Sequence, residues 1–290
     1  MTATIVLALR RTGGPGLPNR LSTRLRFRVL LGITFALAAI NAPFSASAEE
    51  PDSYLAYDGE ARSGDGTTVV YREHHVLRSH DGTLAERVVI YACPDGTAFA
   101  RKRLAYAPSP LAPDVRFEDA RSGSFQFLDS VKGERHLRSR DSAAAKPIDM
   151  VVPAKAGLVA DAGFDEFIRR SWSKLISATP VGFDILLLSD GSVLHLKAIH
   201  AKHEQLAGED VDVFRVSLSG LLGLIAPNID VTYSSSDHAL RRFEGISNIR
   251  NANGHQSKTI IDFPALAHRR VGGQAWQEAI NSPLHARCET

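Results

Sequence analysis

The side chains in this sequence best equipped for chemistry are histidines set beside carboxylates. Glu73, His74 and His75 are consecutive and His80 follows closely. A second group holds His195, His200, His203 and Glu204. A histidine next to a carboxylate can exchange a proton near neutral pH, and the same pair can ligate a divalent metal. Spacing restricts that chemistry. If the segment around them is a strand, Glu73 and His75 share one face and His74 takes the other, so at most two of the three meet in one site. Glu73, His75 and His195 would make an acid–base or metal-assisted enzyme if their two segments were neighbours. Half-buried strand histidines account for the same residues, and no histidine or cysteine spacing of a metal site accompanies them.

Other catalytic machinery is absent from the pattern. There is no G-x-S-x-G elbow, no S-x-x-K with partner boxes, no H-E-x-x-H and no P-loop. No catalytic residue, metal ligand or cofactor is therefore assigned. Arg241, Arg242, Phe243 and Glu244 form a further charged stretch. Alternation gives Arg241 and Phe243 one face and Arg242 and Glu244 the other, the arrangement of cross-strand ion pairs. Cys93 and Cys288 are the only two cysteines. They can bridge in an oxidising compartment, or remain a small buried strand residue and a free thiol near the end of the chain.

The compartment is written in the first residues. Arg10, Arg11, Arg20, Arg24, Arg26 and Arg28 come without an acidic residue among them. The apolar run Val29–Ala42 follows, then Ser45-Ala46-Ser47-Ala48. A basic region, a short apolar core and an A-x-A site predict a signal peptide over 1–48 with cleavage after Ala48. The apolar run is short of the roughly 20 residues a spanning helix needs, so no stable membrane span is expected after cleavage. The exported part, 49–290, reads as a single β-rich domain of the periplasm or the secreted fraction. Formal net charge is +2 for the whole chain. Without the leader's arginines it falls to neutral or slightly acidic, which argues against a nucleic-acid partner.

The elements that would position the histidines are strands. Residues 49–66 are polar and Gly-rich and read as an irregular lead-in. From Thr67 onward, TTVVYREHHVLRS, LAERVVIYA and TAFARKRLAYA alternate in the strand period and are separated by Asp81-Gly82 and Asp95-Gly96. Asp-Gly between such runs is a hairpin signal. Hairpins recur at VRFEDA/SFQFLDS, at VGFDILLL/SVLHLKAIHA across Asp190-Gly191, and in a closing meander over Asn228–Pro264 that includes an Asn253-Gly254 turn. Leu221–Ile225 reads as an apolar turn or short helix, and AWQEAI near the C-terminus as another short helix. One substantial helix is predicted over Ala162–Ser177. Its Phe164, Phe167, Ile168, Trp172, Leu175 and Ile176 recur at three- and four-residue spacing. With about ten to twelve strands, the fold class is mainly β (α+β): a curled antiparallel β-sheet or half-barrel of meanders with one amphipathic helix packed on it.

The leader, the repeated hairpins, the helix Ala162–Ser177 and the closing LRRFEGISNIRNANG with TIIDFP together resemble exported bacterial proteins of unassigned function built on a curled antiparallel sheet. More distantly, they are similar to the LolA/LolB-type lipoprotein-carrier fold. Those carriers open with a helix before the sheet, and this chain does not. The resemblance implies a concave apolar surface sheltering an acyl chain. The expected function is a soluble binding module without catalysis, for a hydrophobic small molecule, lipid or lipoprotein segment. The expected ligand-binding residues are Phe164, Phe167, Ile168 and Trp172, and the alternatives are the Glu73/His75/His195 enzyme or a structural envelope-assembly partner.

Overall fold

The computed structural model describes residues 52–153, 155–220, 227–251 and 254–288. The leader, the expected turn at Leu221–Ile225 and Asn253 of the Asn253-Gly254 turn lie outside them. Alternation of polar and apolar side chains produces two meandering arms. The first comprises β1 (Ser53–Ser63), β2 (Val69–His80), β3 (Thr83–Ala92), β4 (Ala98–Ala105), β5 (Asp114–Asp119), β6 (Ser124–Val131), β7 (Glu134–Arg140) and β8 (Ile148–Val152). The second comprises β9 (Val159–Ala160), helix α1 (Gly163–Ile176), β10 (Val181–Leu186), β11 (Val193–Leu206), β12 (Glu209–Leu218), β13 (Ile229–Ser234), β14 (Leu240–Ile246) and β15 (Lys258–Asp262). A short β16 (Arg269–Val271) and helix α2 (Gly273–Asn281) end the chain.

All strands join one sheet ordered β8 to β1, then β15 back to β9, with β16 also paired to β1. The chain thus starts in the middle, walks outward to one edge, crosses to the other edge and walks back. Its two arms meet where β1 pairs antiparallel with β15. The ladders are antiparallel apart from β9–β10, a parallel pair whose crossover is α1. Hairpin turns carry the backbone that the short loops demand. Asp81 and Gly82 have φ of 48° and 69°, the positive pair of a two-residue turn matched to strand twist.

The sheet is strongly curled and remains open. The segment from Val152 to Val159, which links opposite edges, can span about 25 Å at most. Contacts across the seam confirm the approach. Ser139 Oγ donates to the Ser189 carbonyl at 2.8 Å, and Gly191 in the β10–β11 turn lies against Met150 and Leu137. The concave side holds the main core, in which Phe164, Ile168 and Leu175 of α1 pack with Tyr91, Phe99, Phe214, Tyr233 and Phe243. Each such side chain contributes roughly 1.5–3 kcal/mol by leaving water. On the convex side α2 lays Trp276 and Ala279 over Ala56, Val76, Val88 and Ile90. Beyond α2 the chain is tied back by the Cys93–Cys288 disulfide.

One expectation is overturned. The polar lead-in is not irregular: β1 is a central strand, paired on both sides. Its glycines and charges obscure the alternation. Tyr57, Gly59 and Ala61 face inward, whereas Asp58 and Glu60 reach His74 and Arg72 on the outside. Among the described residues no helix is long and apolar enough to cross a membrane, a statement about helices only.

Candidate functional site

Because β2 alternates, Glu73 and His75 both enter the concave interior, where each is 1% exposed. His75 Nε2 lies 2.8 Å from Glu73 Oε2. Tyr57, directly across the β1–β2 ladder, stacks on the imidazole at 4.3 Å, and its other neighbour His268 lies at 4.7 Å. Phe263 meets the ring edge-on. Burial lowers the His75 pKa to about 4 and pushes the Tyr57 hydroxyl up to about 12, so both are neutral at pH 7. Which of His75 Nε2 and Glu73 Oε2 donates depends on the ring's tautomer. Nδ1 is buried without a hydrogen-bond partner.

The next strands bring charges to the same surface. Val89 and Tyr91 of β3 point into the main core while Val88 and Ile90 point to α2. Arg87 therefore also points inward and is 3% exposed. Its Nη2 is 3.7 Å from Asp165 Oδ2 on α1, and its guanidinium carbon is 6.0 Å from the Tyr106 ring. Asp165 also accepts from the Tyr233 hydroxyl at 2.9 Å and faces Arg169 at 3.8 Å. One strand further, Lys102 Nζ donates to Asp161 Oδ2 at 2.6 Å, with both side chains fully buried. Asp161 sits just ahead of α1 with φ of 45°, a conformation aspartate tolerates better than most residues. Its carboxylate accepts from Ala162 N, at the start of the helix.

Beside this polar interior, the seam between the arms forms a groove of about 620 Å³. Leu111, Ala112, Leu128, Val152, Leu158 and Leu186 line it, with Ser109, Ser130, Arg135 and Lys155 among its polar residues. The two cations have partners: Arg135 faces Asp114 at 3.0 Å and Lys155 faces Asp184 at 2.6 Å. The loop that follows β4 forms one wall and is held by the bond from Ala160 N to the Leu111 carbonyl at 2.9 Å.

The structure unites Glu73 with His75 and keeps His195 away from them. His195 projects outward from β11, 71% exposed in its side chain, and pairs with Asp184. The three-residue acid–base or metal site is therefore not assembled, because β11 presents His195 to the convex face. His200 and His203 share Asp212 at 2.9 and 3.2 Å. Among the described residues no group of three or more His, Cys, Asp or Glu side chains is placed to hold a metal ion.

Phe164 and Ile168 are core residues, buried to 1% and 0% exposure. Phe167 and Trp172 are partly buried and packed against that core. Phe167 faces Phe183 at 4.2 Å, and Trp172 stacks on His238 at 3.8 Å. None of the four lines the groove. Sequence reasoning missed Arg87, Lys102, Asp161 and Asp165. A signal existed: Arg87 and Lys102 fall in the inward phase of strands whose other inward residues are Val89, Tyr91, Ala100 and Leu104.

No protein-family model matches this chain, and no curated protein matches it. Among solved structures it is similar to a β-barrel-like protein of the domain of unknown function DUF1849 from Brucella abortus. That likeness has 9% identity and a TM-score of 0.35, covering 76% of this chain and 98% of the other. It is also similar to a DUF1329 family protein from Desulfovibrio piger, with 9% identity and a TM-score of 0.24, covering 82% of this chain and 93% of that one.

Proposed function

We propose that this protein is an exported binding module that holds a single-chain amphiphile in the groove between its two arms. The observation that carries the reading is the groove. Its volume of about 620 Å³ falls within the roughly 300–1,000 Å³ of small-molecule sites. Apolar residues such as Leu111, Leu128, Val152 and Leu186 line it, while the polar ones supply hydroxyls and paired charges. An acyl chain suits such a surface, since each methylene removed from water gains about 0.8 kcal/mol. The likeness to lipoprotein carriers noted in the sequence belongs to this reading, with a lipid or a lipoprotein's acyl chain as occupant. Export to the periplasm or beyond is supported by the leader and by the Cys93–Cys288 bridge, which persists in oxidising compartments.

The test is solvent extraction and mass spectrometry of the purified protein, followed by titration with a fluorescent acyl probe. Recovery of a lipid, or saturable probe binding, is expected. Leu158 is a partly exposed loop residue, so Leu158→Glu places a charge in the groove without disturbing the sheet, and it should abolish binding. Trp172→Ala under α1 should leave binding intact. The opposite pattern would move the ligand to Phe164, Phe167, Ile168 and Trp172. A protein that is empty in repeated preparations and binds no acyl probe would sink the reading.

A further inference from the structure

Arg87 poses an energetic problem. The side chain is 3% exposed and stays charged at any ordinary pH. Its Nε and Nη1 are nevertheless buried without an acceptor, and its ion partner among the described residues, Asp165, is at 3.7 Å, beyond a hydrogen bond. A guanidinium removed from water without acceptors is costly, and such groups in native folds have a reason. A second polar atom lies nearby: the Tyr106 hydroxyl is also buried and unpartnered, and its ring is 6.0 Å from the guanidinium carbon. The inner surface around these donors also carries Tyr57 and the carboxylates of Asp165 and Asp161.

Arg87 also stands in register with the groove. Across the inner face, Arg87 pairs with Leu104, Leu104 with Val115, and Val115 with Leu128. Leu128 is a groove residue. Three strand spacings separate the two ends, about 14 Å. The row between them is apolar. Leu104 and Val115 belong to one buried cluster with Ala160, Ala162, Leu186 and Leu188, so a molecule with its hydrocarbon chain at Leu128 and its acidic head at the guanidinium would part that packing.

We infer that Arg87, with Tyr106, receives the anionic oxygen atoms of the ligand, a carboxylate or a phosphate, inside the curled sheet. This rests on the reading of the protein as an amphiphile-binding module. Nε and Nη1 lie on opposite edges of the guanidinium, so one of them donates to an oxyanion oxygen while the Tyr106 hydroxyl donates from the side. The paired cations of the groove, Arg135 and Lys155, already have carboxylate partners and do not compete for the head.

The experiment is calorimetric titration of the protein with three chain-matched probes: dodecanoate, dodecyl phosphate and dodecanol. At least one anionic probe is expected to bind about tenfold or more tightly than the alcohol, the equivalent of one hydrogen bond to a charged group. Which of the two anions binds more tightly separates a carboxylate head from a phosphate head. Arg87→Met should erase the preference for the anion while leaving dodecanol affinity unchanged. Tyr106→Phe removes an unpartnered hydroxyl and no packing, so it keeps the test open if Arg87→Met does not fold, and it should weaken anion binding several-fold. Equal binding of all three probes, or an anion preference that survives both variants, would overturn the assignment while leaving the binding module standing. Failure of every probe to bind would remove both.

Discussion

At the scale of single residues, the interior is defined by charges that solvent does not reach. Lys102 and Asp161 are the clearest case, a fully buried pair at 2.6 Å. Removing one partner strands the other, so Lys102→Met should cost about 3–5 kcal/mol. Adding Asp161→Asn, which retains a side chain tolerant of positive φ, should recover most of that loss in urea denaturation. An additive result would show that the two side chains do not act as a pair. His75 gives a pH signature. Its pKa is lowered from 6.5 to about 4 by burial, so the unfolded chain takes up a proton that the folded chain refuses. The stability it contributes is complete above 6.5 and is lost as pH falls through that window, at about 1.4 kcal/mol per unit. His75→Gln should flatten the stability profile between 6.5 and 4 relative to the unmodified protein. Parallel profiles would show that the ring is not held neutral.

At the scale of elements, α1 is positioned by what surrounds its first turn. A Cβ on Gly163 would stand 1.8 Å from the Leu111 carbonyl oxygen. That carbonyl already accepts from Ala160 N, so the backbone cannot yield without breaking β9 away from the loop. Gly163→Ala should destabilise by about 3 kcal/mol through this overlap and should distort the groove wall at Leu111. Gly182→Ala, whose Cβ would meet nothing closer than 3.8 Å, serves as the control and should be neutral. Equal melting temperatures for the two variants would mean that the close approach of Gly163 to Leu111 has no energetic weight. The helix itself was legible in sequence because its stripe repeats every three to four residues. Strand β1 was not, because Asp58 and Glu60 answer to His74 and Arg72 on β2, which a local window does not contain.

For the whole molecule, α2 on the convex side and the disulfide beyond it act together as a clasp. The bridge joins residues 195 apart, so its loop-closure contribution reaches about 5 kcal/mol in the chain-entropy limit. Replacing both cysteines with alanine should lower stability by about 2–5 kcal/mol. In a Trp172→Phe background it should also shift the emission of Trp276 toward that of an exposed indole, as α2 loosens from β2 and β3. An unchanged spectrum and melting temperature would show that α2 holds its place without the bridge. Closure of the sheet is likewise a property of the whole: the edges β8 and β9 are brought near each other by the short segment after Val152 and by the Ser139–Ser189 contact. Only then does the groove exist, since Leu128 and Val152 come from one arm and Leu158 and Leu186 from the other.

What the amino-acid order settled unaided was local: the hairpins, whose Asp-Gly turns carry their own backbone requirement, the amphipathic helix, and a β-rich class. That Glu73 and His75 share a face also followed from alternation alone. Tertiary structure decided the rest. It paired β1 with β15, set Lys102 against Asp161 across 59 positions, turned His195 away from His75, and put Arg87, with its Nε and Nη1 unpartnered, in register with a groove residue. Strand period and turn propensity act over a few residues and can be read in a short window. The pairing of distant strands is fixed by the sum of many burial terms over the curled sheet, and no single stretch of the chain contains that sum.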